Sequence, residues 1–179
     1  MAKPAEQKLS TNTSSVWGGL FQKREPWCDE VTNLWLDTPF FKGIPAREIR
    51  KLSNDMHARN YQAGEFIFHQ GDQGAGVAMI KSGTVEIRYE GNVLATLHDG
   101  DFFGEIALVL DELRTADAVA IASTELVLFL RPDFEEWIKR APQHGAQLSK
   151  NLAYVLAHRL MHANKMLAEE KNKHVIESS

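Results

Sequence analysis

The feature that most constrains the fold is a series of short segments between residues 57 and 131 that carry apolar side chains at alternate positions or in brief runs. These segments are residues 65–69, 77–80, 84–89, 93–97, 116–121 and 125–130. Glycine-bearing turns separate them, as at Gly64, Gly71, Gly83 and Gly100, and residues 89–93 form the tightest predicted hairpin. Short strands at about ten-residue spacing are typical of sandwiches and small antiparallel barrels. We therefore expect a mainly β fold, an antiparallel β-roll or jelly-roll barrel over residues 57–131.

The chain on both sides of this region has helical periodicity. Pro45 begins a predicted helix that ends near Met56, Pro132 begins another of about ten residues, and a long helix is expected from Ala146 onward. The long helix has an apolar stripe mostly at steps of four residues, formed by Leu148, Leu152, Leu156, Leu160, Ala163 and Leu167. Because the end of the stripe is heptad-like, we expect a homodimer through this helix, and the alternative is that the helix folds back over its own barrel.

These patterns divide the chain into five segments. Residues 1–15 are polar and are expected to form a disordered tail. Residues 16–56 contain three of the four tryptophans, and we expect helices that pack on the barrel, the alternative being a segment that docks on a partner. The barrel is followed by C-terminal helices over residues 132–171, which include a lid or dimer helix, and residues 172–179 form a frayed tail.

The composition restricts the class of protein and its partners. A formal net charge of −4 over 179 residues does not provide the basic surface that nucleic acids require. A single cysteine, Cys28, excludes an internal disulfide and suits a reducing compartment. The polar N-terminus is unlike a signal peptide, and no apolar run is long enough to span a membrane. These properties indicate a cytoplasmic protein without a nucleic-acid partner.

The residues best suited to bind a ligand lie between Gly100 and Ala116, where the strand pattern is interrupted. Gly104 permits a sharp turn, and the following residues form a short helix whose first amides are free to bind an anion. Arg114 lies nine residues after Glu105, and its planar guanidinium suits a phosphate, with the hydroxyl of Thr115 beside it. A carboxylate, free amides and an arginine together match a ligand in which a sugar hydroxyl lies next to a phosphate.

The sequence Phe103-Gly-Glu-Ile-Ala-Leu followed by Arg114-Thr-Ala resembles the phosphate-binding cassette of the cyclic-nucleotide-binding family. This family includes the catabolite activator protein, regulatory subunits of cyclic-nucleotide-dependent kinases and some ion channels. The resemblance covers about residues 34–167 and includes the glycine-bearing turns at His69–Asp72 and Lys81–Ile87. It implies a ligand, cyclic AMP or cyclic GMP, and a protein that is not an enzyme and needs no cofactor or metal.

The resemblance also implies which residues bind the nucleotide. Glu105 would accept a hydrogen bond from the ribose 2′-hydroxyl, and Arg114 would bind the exocyclic phosphate oxygens. The alternative is that Glu105 and Arg114 form a structural ion pair and that Ile87 and Leu94, the residues implied to form an apolar wall near the base, are ordinary core. The implied ligand-binding residues are the backbone of Gly104, Ile106 and Ala107, the side chains of Glu105, Arg114 and Thr115, and the apolar wall of Ile87 and Leu94.

Five positions bear on the base of the nucleotide. Thr115 resembles the hydroxyl residue of cyclic-GMP-dependent kinases, although related receptors with this residue also prefer cyclic AMP. Asp117 stands where the family usually has Ser or Thr, so it would either accept from a purine amino group or repel the phosphate. Asn164 lies near the position of a Thr-Ser pair that meets adenine in the catabolite activator, and His158 or Met161 would cap the base.

The resemblance favours a receptor that signals to a separate protein effector. The transcription factors of the family continue into a helix-turn-helix domain, whereas this sequence stops about a dozen residues after Leu167, so we expect a stand-alone module. One alternative is a degenerate, ligand-free dimerisation or interaction module. Another is a cupin-type metalloenzyme, which the histidine spacing disfavours because His57, His69 and His98 lie on separate segments without a His-x-His pair.

Overall fold

The structure, a computed structural model, describes residues 26–177. Within this range it has eight β-strands, four α-helices and two short 3-10 helices. The strands are β1 (His57–Tyr61), β2 (Phe66–Phe68), β3 (Gly76–Ser82), β4 (Val85–Tyr89), β5 (Asn92–Leu97), β6 (Phe102–Phe103), β7 (Asp117–Ala120) and β8 (Thr124–Leu130). The α-helices are α1 (Pro26–Leu36), α2 (Ala46–Ser53), α3 (Arg131–Arg140) and α4 (Pro142–Glu177). The 3-10 helices are Pro39–Phe41 and Glu105–Leu108, and the second is called the cassette helix below.

The strands form two four-stranded antiparallel sheets, in the orders β1-β8-β3-β6 and β2-β7-β4-β5. The expected mainly β fold with flanking helices is confirmed. The predicted hairpin joins β4 to β5 through Glu90 and Gly91, which both have positive φ, as the favoured two-residue hairpin turn requires.

Both faces of the central strands β3 and β8 are buried. On β3, Val77 and Met79 belong to a core cluster shared with the helices, whereas Ala78 and Ile80 belong to a second cluster between the two sheets. This arrangement explains why residues 77–80 are continuously apolar, since a strand covered on both faces needs no polar side. The strand β6 spans both clusters, because Phe102 faces the helices and Phe103 faces the opposite sheet.

The helices on the outer face of the first sheet pack around Trp35, Phe40 and Phe41, which are all buried. The amide of Asn151 on α4 donates hydrogen bonds to the carbonyl oxygens of Phe40 (2.9 Å) and Lys42 (2.8 Å), which ties α4 to the N-terminal helices. The predicted tail at residues 1–15 and the apolar residues Trp17, Leu20 and Phe21 lie outside the described residues.

The long helix begins four residues earlier than predicted. Only Ala141 separates α3 from α4, because Pro142 occupies the first turn of the helix, where a missing N–H costs nothing. A glycine is suited to position 145 because a Cβ there would crowd α3, at 3.0 Å from Ile138. No helix in residues 26–177 combines the length and apolarity needed to cross a bilayer.

Candidate functional site

The site is built around a left-handed turn at Gly104, directly after β6. Gly104 has φ 77° and ψ 11°, a conformation that glycine adopts without a steric penalty. A Cβ at this position would lie 2.6 Å from Nη1 of Arg114, so the glycine is also needed for close packing. The turn starts the cassette helix and places it beside Arg114, which lies in the segment just before β7.

Glu105 is a buried carboxylate, with 2% of its surface exposed, and its partner comes from α4. Arg159 donates from Nη1 to Oε2 of Glu105 at 2.7 Å and from Nη2 to the carbonyl oxygen of Phe102 at 2.6 Å. The guanidinium also lies over the Phe102 ring, 5.1 Å from its centroid. The Glu105–Arg114 ion pair that the sequence left open as an alternative is therefore not formed, because Arg159 occupies the carboxylate.

Arg114 is held by backbone rather than by an acid. Its Nη1 donates to the carbonyl oxygen of Gly104 and its Nη2 to that of Gly76, both at 3.1 Å. The guanidinium lies over the ring of Phe68, 4.2 Å from the centroid. Its Nε is buried and has no hydrogen-bond partner among the described residues, so donor capacity remains on a guanidinium that has five N–H groups in all.

Burial and neighbouring charges both act on the Arg114 guanidinium. Burial is the largest cause that lowers the pKa of Arg114, the nearby Glu105 and Asp72 carboxylates oppose it, and Arg131 lowers it further. An arginine nevertheless stays protonated at all ordinary pH values. Arg114 is therefore a partly desolvated cation that forms no ion pair among the described residues and donates to backbone carbonyls instead.

A cavity of about 520 Å³ lies between the cassette helix, Arg114 and Arg159. Of the predicted ligand residues, those that line this cavity are Gly104, Glu105, Ile106, Ala107, Arg114, Thr115 and Ile87. Phe68, Phe103, Leu110, Glu112, Leu113 and Ala116 complete the wall. The structure therefore brings the residues of the implied site together around one space of the size that binds small ligands.

Two details differ from the expected site. Leu94 does not line the cavity and is 62% exposed; it lies at a β-bulge, since Ile87 pairs with Ala95 and Arg88 with Val93, and the extra residue of a bulge is left unpaired. The amide of Ala107 donates to the carbonyl oxygen of Gly104 at 3.1 Å, so the amides that lack an intrahelical acceptor are those of Glu105 and Ile106.

The unusual Asp117 has a structural partner. Its Oδ1 accepts a hydrogen bond from the backbone amide of Gln70 at 2.8 Å and lies 3.7 Å from Nδ1 of His69. The carboxylate thus binds the β2–β3 loop and does not line the cavity. Asn164 and Met161 are exposed on α4, and His158 packs on Tyr154 with ring centroids 4.2 Å apart.

No local pattern in the sequence indicates the two arginines that hold the cassette helix from outside. Arg159 is 54 residues from Glu105, and Arg131, the first residue of α3, donates to the carbonyl oxygen of Ala107 at 2.6 Å. Arg159 also lines a second cavity of about 730 Å³ on the side of α1 and Tyr154. The cupin alternative needs a group of at least three His, Cys, Asp or Glu side chains that can hold a metal ion. Within residues 26–177 no such group is present.

Residues 58–141 match the sequence model of a protein family described as "Cyclic nucleotide-binding domain". The region from residue 58 to residue 141 therefore belongs to this family. The cyclic nucleotide-binding domain thus contains β1–β8, the cassette helix and α3, and it supplies every residue that lines the cavity described above except Arg159.

Relatives of known identity support this assignment. The chain is 34% identical over 132 residues to the "Cyclic AMP receptor protein" of Thermus thermophilus, which covers 71% of this chain and 59% of the relative. A crystal structure of the Thermus thermophilus catabolite activator protein superimposes with a TM-score of 0.64 at 34% identity, covering 73% of this chain and 62% of that chain. The fold and the family therefore agree with an independent crystal structure.

A further relative is an enzyme, but the match covers a small part of it. The chain is 36% identical over 137 residues to "Glutaminase 1" of Bradyrhizobium diazoefficiens, which is 75% of this chain and 22% of that protein. The chain spans less than two thirds of the length of both curated relatives. What the match shares is the cyclic nucleotide-binding domain, a regulatory family that is generally not enzymatic.

Proposed function

We propose that this chain is a receptor for cyclic AMP or cyclic GMP, which binds in the 520 Å³ cavity and signals through its helices to a separate protein. The observation that carries the proposal is the convergence on one cavity of a buried carboxylate, a partly buried guanidinium and the first amides of the cassette helix. The ribose and the cyclic phosphate of such a nucleotide need these three kinds of group.

The proposed contacts follow from the chemistry of each residue. Glu105 accepts from the ribose 2′-hydroxyl, and the amides of Glu105 and Ile106 donate to the phosphate. Arg114 adds charge-assisted hydrogen bonds from the N–H groups that Gly104 and Gly76 leave free. Thr115 supplies a hydroxyl, and Ile87 an apolar surface beside the base.

The proposed signal starts at the Glu105–Arg159 contact. A ribose hydroxyl that reaches Glu105 enters the coordination of the carboxylate that Arg159 holds at 2.7 Å. Because Arg159 belongs to α4, a nucleotide that displaces or redirects it favours a different position of this helix. The equilibrium moves only to the extent that the nucleotide binds the two arrangements with different affinity.

The test is the thermal unfolding midpoint measured with cyclic AMP, cyclic GMP and, as a control, non-cyclic AMP. A ligand at about 100 times its dissociation constant stabilises a protein by about 2.7 kcal/mol. Arg114→Ala should abolish the shift caused by the cyclic nucleotide, because the phosphate loses its cation. The matched control is Arg88→Ala, since Arg88 pairs with Glu86 on β4 and does not line the cavity.

Two results would contradict the proposal. If neither cyclic nucleotide moves the midpoint at millimolar concentration, the receptor function is wrong. If binding survives Arg114→Ala, the phosphate is not held as proposed. A ligand-free dimerisation module would then be the better interpretation, because Leu160, Met161 and Leu167 of α4 are exposed apolar side chains.

A further inference from the structure

Arg131 binds the far end of the cassette through an unusual number of hydrogen bonds. Its Nε donates to the carbonyl oxygen of Ala107 at 2.6 Å, and its Nη2 donates to those of Gly74 (2.8 Å) and Leu110 (3.0 Å). Its Nη1 donates to Oδ1 of Asp111 at 2.7 Å. Three of these four acceptors are backbone carbonyls, and the side chain of Arg131 is only 19% exposed.

These bonds join three parts of the molecule that are distant in sequence. Ala107 and Leu110 belong to the cassette helix and the turn after it, and Gly74 lies just before β3. The backbone amide of Arg131 itself donates to the carbonyl oxygen of Ala75 at 2.9 Å. The first residue of α3 is therefore fixed through its main chain to the residue just before β3 and through its side chain to the cassette.

The two arginines that hold the cassette differ in one respect. Arg159 holds Glu105, the carboxylate that the nucleotide is proposed to use, whereas the acceptors of Arg131 are carbonyls and an exposed carboxylate. A nucleotide therefore competes with Arg159 and leaves the acceptors of Arg131 unchanged. Arg131 also lies close enough to Arg114 to lower the pKa of that guanidinium, so its charge adds to the positive potential at the phosphate.

We infer that Arg131 is a positioning residue of the nucleotide site. It keeps the cassette helix, with the amides of Glu105 and Ile106, at a fixed distance from Arg114, and it makes the cassette and the start of α3 move as one body. The ligand exchanges the contact at Arg159 while the contact at Arg131 persists. This inference rests on the proposed function, because positioning matters only if a phosphate is bound.

The test uses the full-length chain and its Arg131→Gln and Arg131→Lys variants. Affinity is measured calorimetrically for whichever cyclic nucleotide the wild-type chain binds and for its two phosphorothioate diastereomers, which differ in the exocyclic oxygen replaced by sulfur. We expect Arg131→Gln to weaken nucleotide binding at least about tenfold and to reduce the ratio of the two diastereomer affinities toward one. Arg131→Lys keeps the charge but loses the planar fork, so an intermediate loss is expected.

Asp111→Asn is the matched control, because it alters the exposed side-chain partner (76% exposed) and leaves the three carbonyl contacts intact. It should change affinity by less than about twofold. If Arg131→Gln is too unstable to measure, the diastereomer ratio of Arg131→Lys decides. If the ratio of the two diastereomer affinities is unchanged, even when both affinities fall equally, the positioning role is overturned while the receptor function stands. No binding by the wild-type chain overturns both.

Discussion

At the scale of single residues, the site depends on one turn that no side chain other than hydrogen permits at low cost. Gly104 combines a positive φ with a contact in which a Cβ would meet the Arg114 guanidinium at 2.6 Å. Gly64 has a similar φ of 89°, but a Cβ there would have no neighbour within 4 Å. Substitutions at the two glycines therefore distinguish the effect of backbone strain from that of crowding at the ligand site.

We predict that Gly104→Ala loses nucleotide binding and that Gly64→Ala retains it. Both variants should lose about 1–2 kcal/mol of unfolding free energy from the left-handed conformation, measured by chemical denaturation. Only Gly104→Ala also displaces Arg114, so only this variant should lose the midpoint shift caused by a cyclic nucleotide. Equal nucleotide shifts in the two variants would show that the Gly104–Arg114 contact does not shape the site.

Local sequence was sufficient to predict that Gly104, Glu105 and Arg114 lie around one space, because they are close in the chain; their ligand roles stay a prediction. It was not sufficient for Arg159 or Arg131. Their roles depend on where α3 and α4 cross the barrel, and periodicity predicts a helix without its position. Leu94 was misjudged for a similar reason, since a bulge of one residue in β5 leaves no mark in an apolar pattern.

At the scale of elements, Arg159 connects α4 to the cassette helix through its hydrogen bond to Glu105. The Arg159 side chain is 45% exposed, whereas the Glu105 side chain that it binds is 3% exposed. A buried carboxylate that loses its donor retains the cost of its desolvation. The contact therefore stabilises the unliganded arrangement of the two elements.

We predict that Arg159→Met lowers the unfolding free energy of the unliganded chain by about 1–3 kcal/mol and increases the stabilisation caused by a cyclic nucleotide. Methionine preserves the length of the side chain but supplies no donor, so the ribose hydroxyl becomes the remaining partner of Glu105. The 2′-deoxy form of the nucleotide lacks this hydroxyl and should show no increase. A stabilisation by the nucleotide that is the same in wild type and variant would argue against competition at Glu105.

The prediction of elements succeeded where one face of the segment is exposed or a turn residue is decisive, as in the β4–β5 hairpin with its Glu90-Gly91 turn. It was less accurate at the start of α4. Proline and glycine at positions 142 and 145 are usual signs of a break, but here the proline begins the helix and the glycine allows α3 and α4 to approach. Both uses depend on the neighbouring helix, which a local pattern does not contain.

At the scale of the whole molecule, α4 is longer than the surface available to it. Its stripe begins with Leu148 and Leu152, which are buried against the domain together with the neighbouring Val155. The same stripe continues through Leu160 and Leu167, which are 62% and 56% exposed. The spacing of Leu156, Leu160, Ala163 and Leu167 alternates between four and three residues, as in a two-stranded coiled coil. We propose that this half of α4 pairs with α4 of a second copy.

We predict that the purified chain is a dimer in light scattering coupled to size exclusion and that Leu160→Glu converts it to a monomer. A carboxylate at the centre of the seam would face its symmetry copy, so desolvation and like-charge repulsion both oppose pairing. Leu94→Glu is the matched control, because Leu94 is also 62% exposed but lies on β5. A wild-type monomer at tens of micromolar, or dissociation by both substitutions alike, would contradict the seam.

Because Arg159 is adjacent to Leu160, a dimer also predicts that nucleotide affinity depends on protein concentration, since a ligand that redirects Arg159 changes the helix through which the copies pair.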